Sequence, residues 1–459
     1  MNATGKLTFA GGVHPPDYKE LTENCQIRTV GAPKQLAIML SQHIGAICRP
    51  SVNKKDKVSA GQVIGQADAF VSAPIHSPIS GTVKDICLCS HPVLGRAEAI
   101  IIEPDEGNVS KQICAAQFDS NFNPDKFTAE KIFNAVRDGG IVGMGGAGFP
   151  TNVKLKANPN SPIHTVIING CECEPFITCD YRMMLEWTNQ ILAGTLLAAK
   201  ALDARNIYIG IEDNKPQAIE AFEKAIAKMA AANDIKVVAV ETKYPQGGER
   251  QLIKSILDID VPAGGIPPMV GVLVQNVATA AAIAEAVVLG NPLTYRVVTV
   301  SGSGIKNPGN FYVPIGMAVG ELIELAGGLT DEAAKIAKVI LGGPMMGFAI
   351  ADLSIPITKT SGAITVLTEK EIGSIRIKSK ETACIRCGRC IEVCPMNLNS
   401  TKIAHAVKHN LLDIAEEHKM SACVECGCCS YVCPADIEVA GYIKTGKILA
   451  ARQKKLMPK

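Results

Sequence analysis

Apolar positions along this chain fall into two rhythms. In FTAEKIFNAVRDGG, Phe127, Ile132, Phe133 and Val136 recur at helical spacing and Gly139–Gly140 closes the pattern, which predicts a helix ending there. HTVIING and IKVVAVE are short apolar runs and predict buried strands. VGVLVQNVATAAAIAEAVVLG predicts a strand end followed by a buried helix. Gln275, Asn276 and Glu285 interrupt it where a membrane-spanning helix would stay continuously apolar. From Tyr295, YRVVTVSGSGIKNPGNFYVPIGMAVGELIELAGG alternates apolar and polar residues across a turn, then gives a helix ended by Gly327–Gly328. Nearer the start, KVSAGQVIGQADAFVSAPIHSPISGTVKDI reads as short strands punctuated by glycine and proline. Strands and helices mixed in this way predict a multidomain α/β protein.

Composition narrows the class. The 459 residues suggest roughly three domains, and 47% hydrophobic against 20% charged residues can bury real cores. A formal net charge of +2, with no basic stripe interleaved with aromatics, argues against a nucleic-acid partner. MNATGKLTFAGG carries no charged-then-apolar export signal, so a chain that is soluble, or peripheral to a membrane it does not cross, is expected.

Candidate chemistry begins at GMGGAGFPT. Gly143, Gly145 and Gly148 match the spacing G-x-G-x-x-G, yet the loop follows a helix rather than a strand and lacks an acid about 20 residues on. By spacing alone it is a tight turn. Beyond it, IINGCECEPFITCDYR joins a strand to a loop carrying Asn169, Glu172, Glu174, Pro175, Asp180 and Arg182. KYPQGGERQLI follows another strand, and VLVQNVAT a third. Polar groups at successive strand ends form a crevice, where open α/β sheets bind nucleotides. Cys171, Cys173 and Cys179 lack an obvious fourth ligand and read as small lining residues. His14 and His76, beside prolines, read as satisfied turn histidines.

Nine of the seventeen cysteines lie in CIRCGRCIEVCP and CVECGCCSYVCP. Each run is C-x2-C-x2-C-x3-C-P, the spacing of two-cluster ferredoxins, in which the fourth cysteine crosses to the other cluster. The expected sets for two [4Fe–4S] clusters are Cys384, Cys387, Cys390 with Cys433, and Cys423, Cys426, Cys429 with Cys394. Cys428 is left over. A disulfide scaffold would need an export route, and zinc sites usually pair two C-x2-C elements.

Taken in order, GMGGAGFPTNVK, NGCECEP, YPQGGE and QNVAT resemble the flavin-bearing, NADH-oxidising subunit of respiratory complex I. That resemblance implies FMN held by Gly143, Gly145, Gly146, Gly148, Lys154, Asn169, Glu172, Tyr244, Gly247, Gly248, Asn276 and Thr279. It also implies that Phe149, Glu174 and Glu249 face NAD(H), and that the glycine loop cradles the flavin phosphate region with backbone N–H groups. The chain departs from that family where an acidic pair is reduced to Gly248–Glu249, and in having twin cysteine runs.

TFAGGVHPPDYKELT and the glycine-rich strands of 57–86 are similar to the RnfC family, the C subunits of the Rnf complex, a membrane-bound ferredoxin:NAD oxidoreductase. The resemblance implies an N-terminal segment at 1–27 and a barrel-sandwich hybrid at 28–115, whose tip QADAFVSAPIH has no lysine to modify. It further implies a Rossmann-like FMN/NAD(H) domain at 124–290, a soluble-ligand-binding β-grasp (SLBB) domain at 293–366 and a helical two-cluster ferredoxin-like domain at 370–459. The implied location is the cytoplasmic face of the membrane, beside a ferredoxin-type subunit and membrane subunits. Nicotinamides exchange hydride and clusters single electrons, so flavin must stand between them and no acid–base catalytic residue is expected. The alternatives are a cobalamin reductase-like flavoprotein of bacterial microcompartments and a non-enzymatic electron-wiring scaffold.

Overall fold

The computed structural model describes residues 7–107, 111–156, 158, 160–330, 335–374 and 381–456. After β1 (Ile27–Thr29), the first domain carries β2 (Leu36–Met39), β3 (Arg49–Pro50), β4 (Lys57–Val58), β5 (Val63–Gln66), β6 (Ile75–His76) and the hairpin β7 (Gly81–His91) and β8 (Gly95–Pro104). One sheet runs β2-β8-β7-β4 and a second β3-β5-β6. Leu36, Ile38, Ile64, Ile75, Val83, Ile100 and Ile102 fill the space within this small sandwich. His76 sits in β6 rather than in a turn. It is buried, its Nδ1 has no hydrogen-bond partner among the described residues, and burial holds its imidazole neutral down to about 3.

The second domain begins with α1 (Ala129–Asp138), capped by the Thr128 hydroxyl and burying Ile132 and Val136 as their spacing predicts. After the glycine loop come α2 (Thr151–Lys154), β9 (Thr165–Asn169), α3 (Cys179–Glu186), α4 (Thr188–Leu202) and β10 (Asn206–Glu212). Then follow α5 (Pro216–Ile226), β11 (Ile235–Val240), α6 (Glu249–Leu257), β12 (Val272–Asn276) and α7 (Val277–Leu289). The four strands are parallel in the order β11-β10-β9-β12. The chain moves outward from β9 to β11, then returns to the other side of β9, so the order reverses between β9 and β12. Ligands of open α/β sheets bind at such a reversal, at the carboxyl ends of the strands. Asn169 and Asn276 face each other there in register.

The third domain has β13 (Tyr295–Ser301), β14 (Gly309–Pro314), α8 (Val319–Leu325), β15 (Ile336–Leu341), β16 (Phe348–Ile350) and β17 (Ala363–Thr368). Its six-stranded sheet takes β1 as an edge partner of β14, so the segment at 27–29 belongs to this sheet rather than to the sandwich. Alternation in β13 predicts one polar face, but every residue of the strand is buried. Tyr295 and Val297 join the core of the second domain, whereas Val298 and Val300 join that of the sandwich. Both faces are therefore covered, each by a different neighbour.

The fourth domain comprises α9 (Glu369–Ser374), α10 (Arg389–Glu392), α11 (Ser400–Lys408), α12 (Leu412–Glu417), α13 (Cys428–Tyr431) and α14 (Val439–Leu456). Its two cysteine runs repeat one backbone: Arg386 and Glu425 have φ of 58° and 57°, and Asn397 and Asp436 both 52°. Among the described residues, no helix is long and apolar enough to cross a membrane.

Candidate functional site

The glycine loop lies over the start of α7. Asn276 caps that helix, its Oδ1 accepting from the Ala278 and Thr279 amides at 2.9 and 3.3 Å, and the buried Thr279 hydroxyl accepts from the Met144 amide at 2.9 Å. At Gly145 a Cβ would come within 2.9 Å of the Asn276 side chain, so glycine permits the close approach. Gly145, Gly146 and Ala147 are exposed, and nothing lies within 4 Å of where a Gly146 Cβ would point. At Gly148 a Cβ would meet Thr360 of the third domain at 2.7 Å and the Gln42 carbonyl of the sandwich at 3.2 Å. Gly143 closes the loop by donating to the Phe149 carbonyl at 2.9 Å, and Phe149 itself is half-buried.

The strand ends supply polar groups. Asn169 donates through Nδ2 to the Gly247 carbonyl at 2.7 Å and accepts from the Cys171 amide at 3.0 Å. Lys154 reaches the Glu249 carboxylate at 2.5 Å and the Val274 carbonyl at 3.2 Å. Gly248 precedes α6. Glu172 is buried and accepts from the amides of Asp180 and Tyr181 at 2.7 and 3.3 Å, thereby capping α3. Glu174 turns toward the loop between β15 and β16, accepting from the Met345 and Met346 amides at 3.2 and 2.7 Å. Burial nevertheless holds its carboxyl up to about 7.

Two groups here, Glu212 and Lys215, escaped the sequence reading of the site, and a third, Asp180, is named there in its loop without a role. Asp180 accepts from Asn276 Nδ2 at 2.6 Å, and burial, then the Glu172 charge, holds its carboxyl up to about 7. Behind Cys171, Lys215 and Glu212 form a buried ion pair at 2.6 Å. Glu212 closes an apolar strand as Asn169 does, so the same signal could have found it. Cys171 and Cys179 are buried and Cys173 half-buried, as expected of lining residues.

Tyr244 joins this crevice to the fourth domain. It is 2% exposed, and its hydroxyl donates to the Cys426 carbonyl at 2.7 Å. Beyond it a cavity is lined by Cys423, Cys426, Cys428 and Cys429 of the second run together with Cys394 of the first. The Leu398 amide donates to Cys394 Sγ at 3.3 Å and the Glu425 amide to Cys423 Sγ at 3.4 Å, as amides do around thiolate ligands. A cavity walled by sulfur and apolar side chains fits an iron–sulfur cluster. Of the other set, Cys384 and Cys387 are exposed and Cys390 and Cys433 half-buried. Cys428 is fully buried against Val13 and Tyr244.

Family models match along the chain: an RnfC barrel sandwich hybrid domain at 7–107, a Nuo51 FMN-binding domain at 136–285, an SLBB domain at 297–349 and a 4Fe-4S dicluster domain at 376–434. The C subunit of the proton-translocating ferredoxin:NAD(+) oxidoreductase complex of Clostridium ljungdahlii is 43% identical over 410 residues, 89% of this chain and 86% of that one. This chain belongs to the RnfC family. Another RnfC relative, the C subunit of the Na(+)-translocating ferredoxin:NAD(+) oxidoreductase complex of Acetobacterium woodii, is 39% identical over 90% of each chain. A third, the C subunit of the ion-translocating oxidoreductase complex of Rhodobacter capsulatus, is 40% identical over 85% of this chain and 73% of its own. Among solved structures, NAD+-reducing [NiFe]-hydrogenase in the air-oxidized state superposes with a TM-score of 0.50 and 21% identity, over 76% of this chain and 66% of that chain, less than two thirds of it. That likeness is one of fold.

Proposed function

We propose that this chain is the peripheral electron-input and output subunit of an ion-translocating ferredoxin:NAD+ oxidoreductase, on the cytoplasmic face of the membrane. It would exchange electrons between NAD(H) and two [4Fe–4S] clusters through non-covalent FMN. One observation carries the reading: the strand-end crevice lies against the cysteine-lined cavity, bonded to its walls by the buried Tyr244 at the Cys426 carbonyl and by Gln251 at the Pro395 carbonyl.

FMN would rest on Gly143, Gly145, Gly146, Gly148, Lys154, Asn169, Glu172, Tyr244, Gly247, Gly248, Asn276 and Thr279, with Phe149, Glu174 and Glu249 toward NAD(H). The exposed amides at 145–147 suit an anion, and Lys154 adds a cation held by Glu249 and the Val274 carbonyl. Asn169 and Asn276, fixed by Gly247 and Asp180, orient polar atoms at the strand reversal. Phe176, in the loop that carries Glu174, is fully buried and stacked on Tyr18 at 4.6 Å, which anchors that loop. Flavin supplies what neither partner has, the exchange of hydride against single electrons.

Cys394, Cys423, Cys426 and Cys429 would ligate the flavin-side cluster. Cys384, Cys387, Cys390 and Cys433 would ligate the outer one, where exposed cysteines suit exchange with a ferredoxin-type subunit. Domain limits at 124–290, 293–366 and 370–459 go with this assignment.

An anaerobic NADH titration tests it, following flavin absorbance and cluster EPR. Bleaching of a stoichiometric flavin is expected. Absence of flavin, or no response to NADH while dithionite reduces the clusters, would leave the chain an electron-wiring scaffold.

A further inference from the structure

The segment before the first strand threads between the crevice and the cysteine runs. The Glu241 amide donates to the Leu7 carbonyl at 3.0 Å, continuing past the end of β11. Lys243 Nζ donates to the Phe9 carbonyl at 2.9 Å and stands 4.7 Å from the centre of the Phe9 ring. Gly12 and Val13 then bond in opposite directions. The Gly12 amide donates to the Val393 carbonyl, beside Cys394, at 2.9 Å, whereas Val13 exchanges two backbone bonds with Tyr244, both 2.8 Å. Gly12 has φ of 82°, and a Cβ there would come within 2.7 Å of the Tyr244 carbonyl. One dipeptide is thus bonded on one side to a cluster loop and on the other to the crevice loop.

We propose that Phe9–Val13 is a positioning element that sets the spacing between the flavin crevice and the cavity of Cys394, Cys423, Cys426 and Cys429, anchored by Lys243 and Gly12. The inference rests on the function proposed above. Besides this strap, side chains join the crevice to the cluster loops: Tyr244 Oη on the Cys426 carbonyl, Gln251 Nε2 on the Pro395 carbonyl at 3.4 Å, and the apolar packing of Cys173 and Cys428 around Tyr244. The strap adds backbone bonds that do not depend on rotatable side chains. Two loops held on both sides of one dipeptide cannot separate without breaking several bonds together.

Electrons crossing here balance as two reduced clusters plus NAD+ and a proton giving two oxidised clusters and NADH. The test starts from dithionite-reduced protein, freed of excess reductant and mixed rapidly with NAD+ under anaerobic conditions. A fast phase reports flavin reoxidation and a slower one cluster reoxidation. Lys243→Met keeps the apolar stem over Phe9 and removes the anchoring bond; Gly12→Val adds the excluded Cβ. Both should leave the fast phase and the EPR spectra of the reduced clusters unchanged. Cluster reoxidation should slow severalfold, since electron transfer weakens steeply as the carriers move apart. Hydrogen exchange should accelerate at residues 9–13 and 244 but not in the strands β9 and β12. If the unaltered protein transfers electrons and Lys243→Met matches it, or both phases slow alike, the positioning role is wrong while the function stands. If the unaltered protein shows no flavin phase with NAD+, the function falls, and this inference with it.

Discussion

Glu174 shows how far one side chain's surroundings can move its chemistry. A carboxyl that accepts two amides would ordinarily titrate low, yet burial outweighs them and holds it up to about 7. A raised carboxyl pKa means the folded chain keeps a proton that the unfolded chain releases from about 4.5 upward. The stabilising contribution is therefore complete below about 4.5 and lost as pH rises through about 7, amounting to about 3 kcal/mol. Glu174→Gln should flatten that fall in thermal stability between pH 5 and 7. It should weaken NADH use while FMN stays bound; loss of FMN instead would move this residue into the flavin shell. Cys428, the cysteine outside both ligand sets, is packed in apolar surroundings with its Sγ 3.9 Å from the Tyr244 carbonyl. Cys428→Ser should retain full iron content and both EPR signals, and a missing signal would show that the second run is read in the wrong register.

Among the elements, α7 shows local propensity and site geometry using the same atoms. Asn276 ends β12, caps α7 and bonds Asp180, so one residue ties strand, helix and loop together. Asn276→Ala should cost about 1 kcal/mol through the lost cap alone, measured by denaturant unfolding. FMN occupancy should fall as well, because Asp180 loses its donor and the glycine loop its neighbour. Gly145→Ala tests the loop from the other side. The added Cβ must displace the Asn276 side chain, so flavin should be lost with α7 still folded, which far-UV circular dichroism and flavin release would show. The Asn276 cap was readable as an Asn before a long apolar stretch. Its second bond, to a residue 96 positions earlier, was not.

At the scale of the whole molecule, Lys359 joins three domains. Its ammonium donates to the Pro74 carbonyl of the sandwich at 2.8 Å and to the Gly140 carbonyl after α1 at 2.7 Å. The hybrid tip that carries no modifiable lysine is thus pinned against the second domain by a lysine from the third. Burial lowers this ammonium to about 8, so the folded chain releases a proton that the unfolded chain keeps. Its contribution to stability accordingly rises with pH between about 8 and 10.5. Lys359→Met should nonetheless destabilise at pH 7, by about 2–4 kcal/mol, because two buried carbonyls lose their donor. Limited proteolysis should then open the junction between the sandwich and the second domain first; an unchanged digestion pattern would show that the pin is dispensable.

What the chain determines alone is whatever depends on near neighbours. Helical spacing at 127–136, apolar runs at 165–169 and 235–240, and the twin C-x2-C-x2-C-x3-C-P runs each reflect a local period or a ligand spacing. They were legible for that reason, and so were the polar residues closing the strands. Three decisions belonged to tertiary structure alone. β13 is buried on both faces because two other domains cover it, which no alternation within the strand can signal. Asp180 and Glu212 acquired their roles from partners and burial contributed by distant segments. The strap at 9–13 works through backbone amides and carbonyls, which every residue carries, so side-chain patterns leave no trace of it until the loops it joins are brought together.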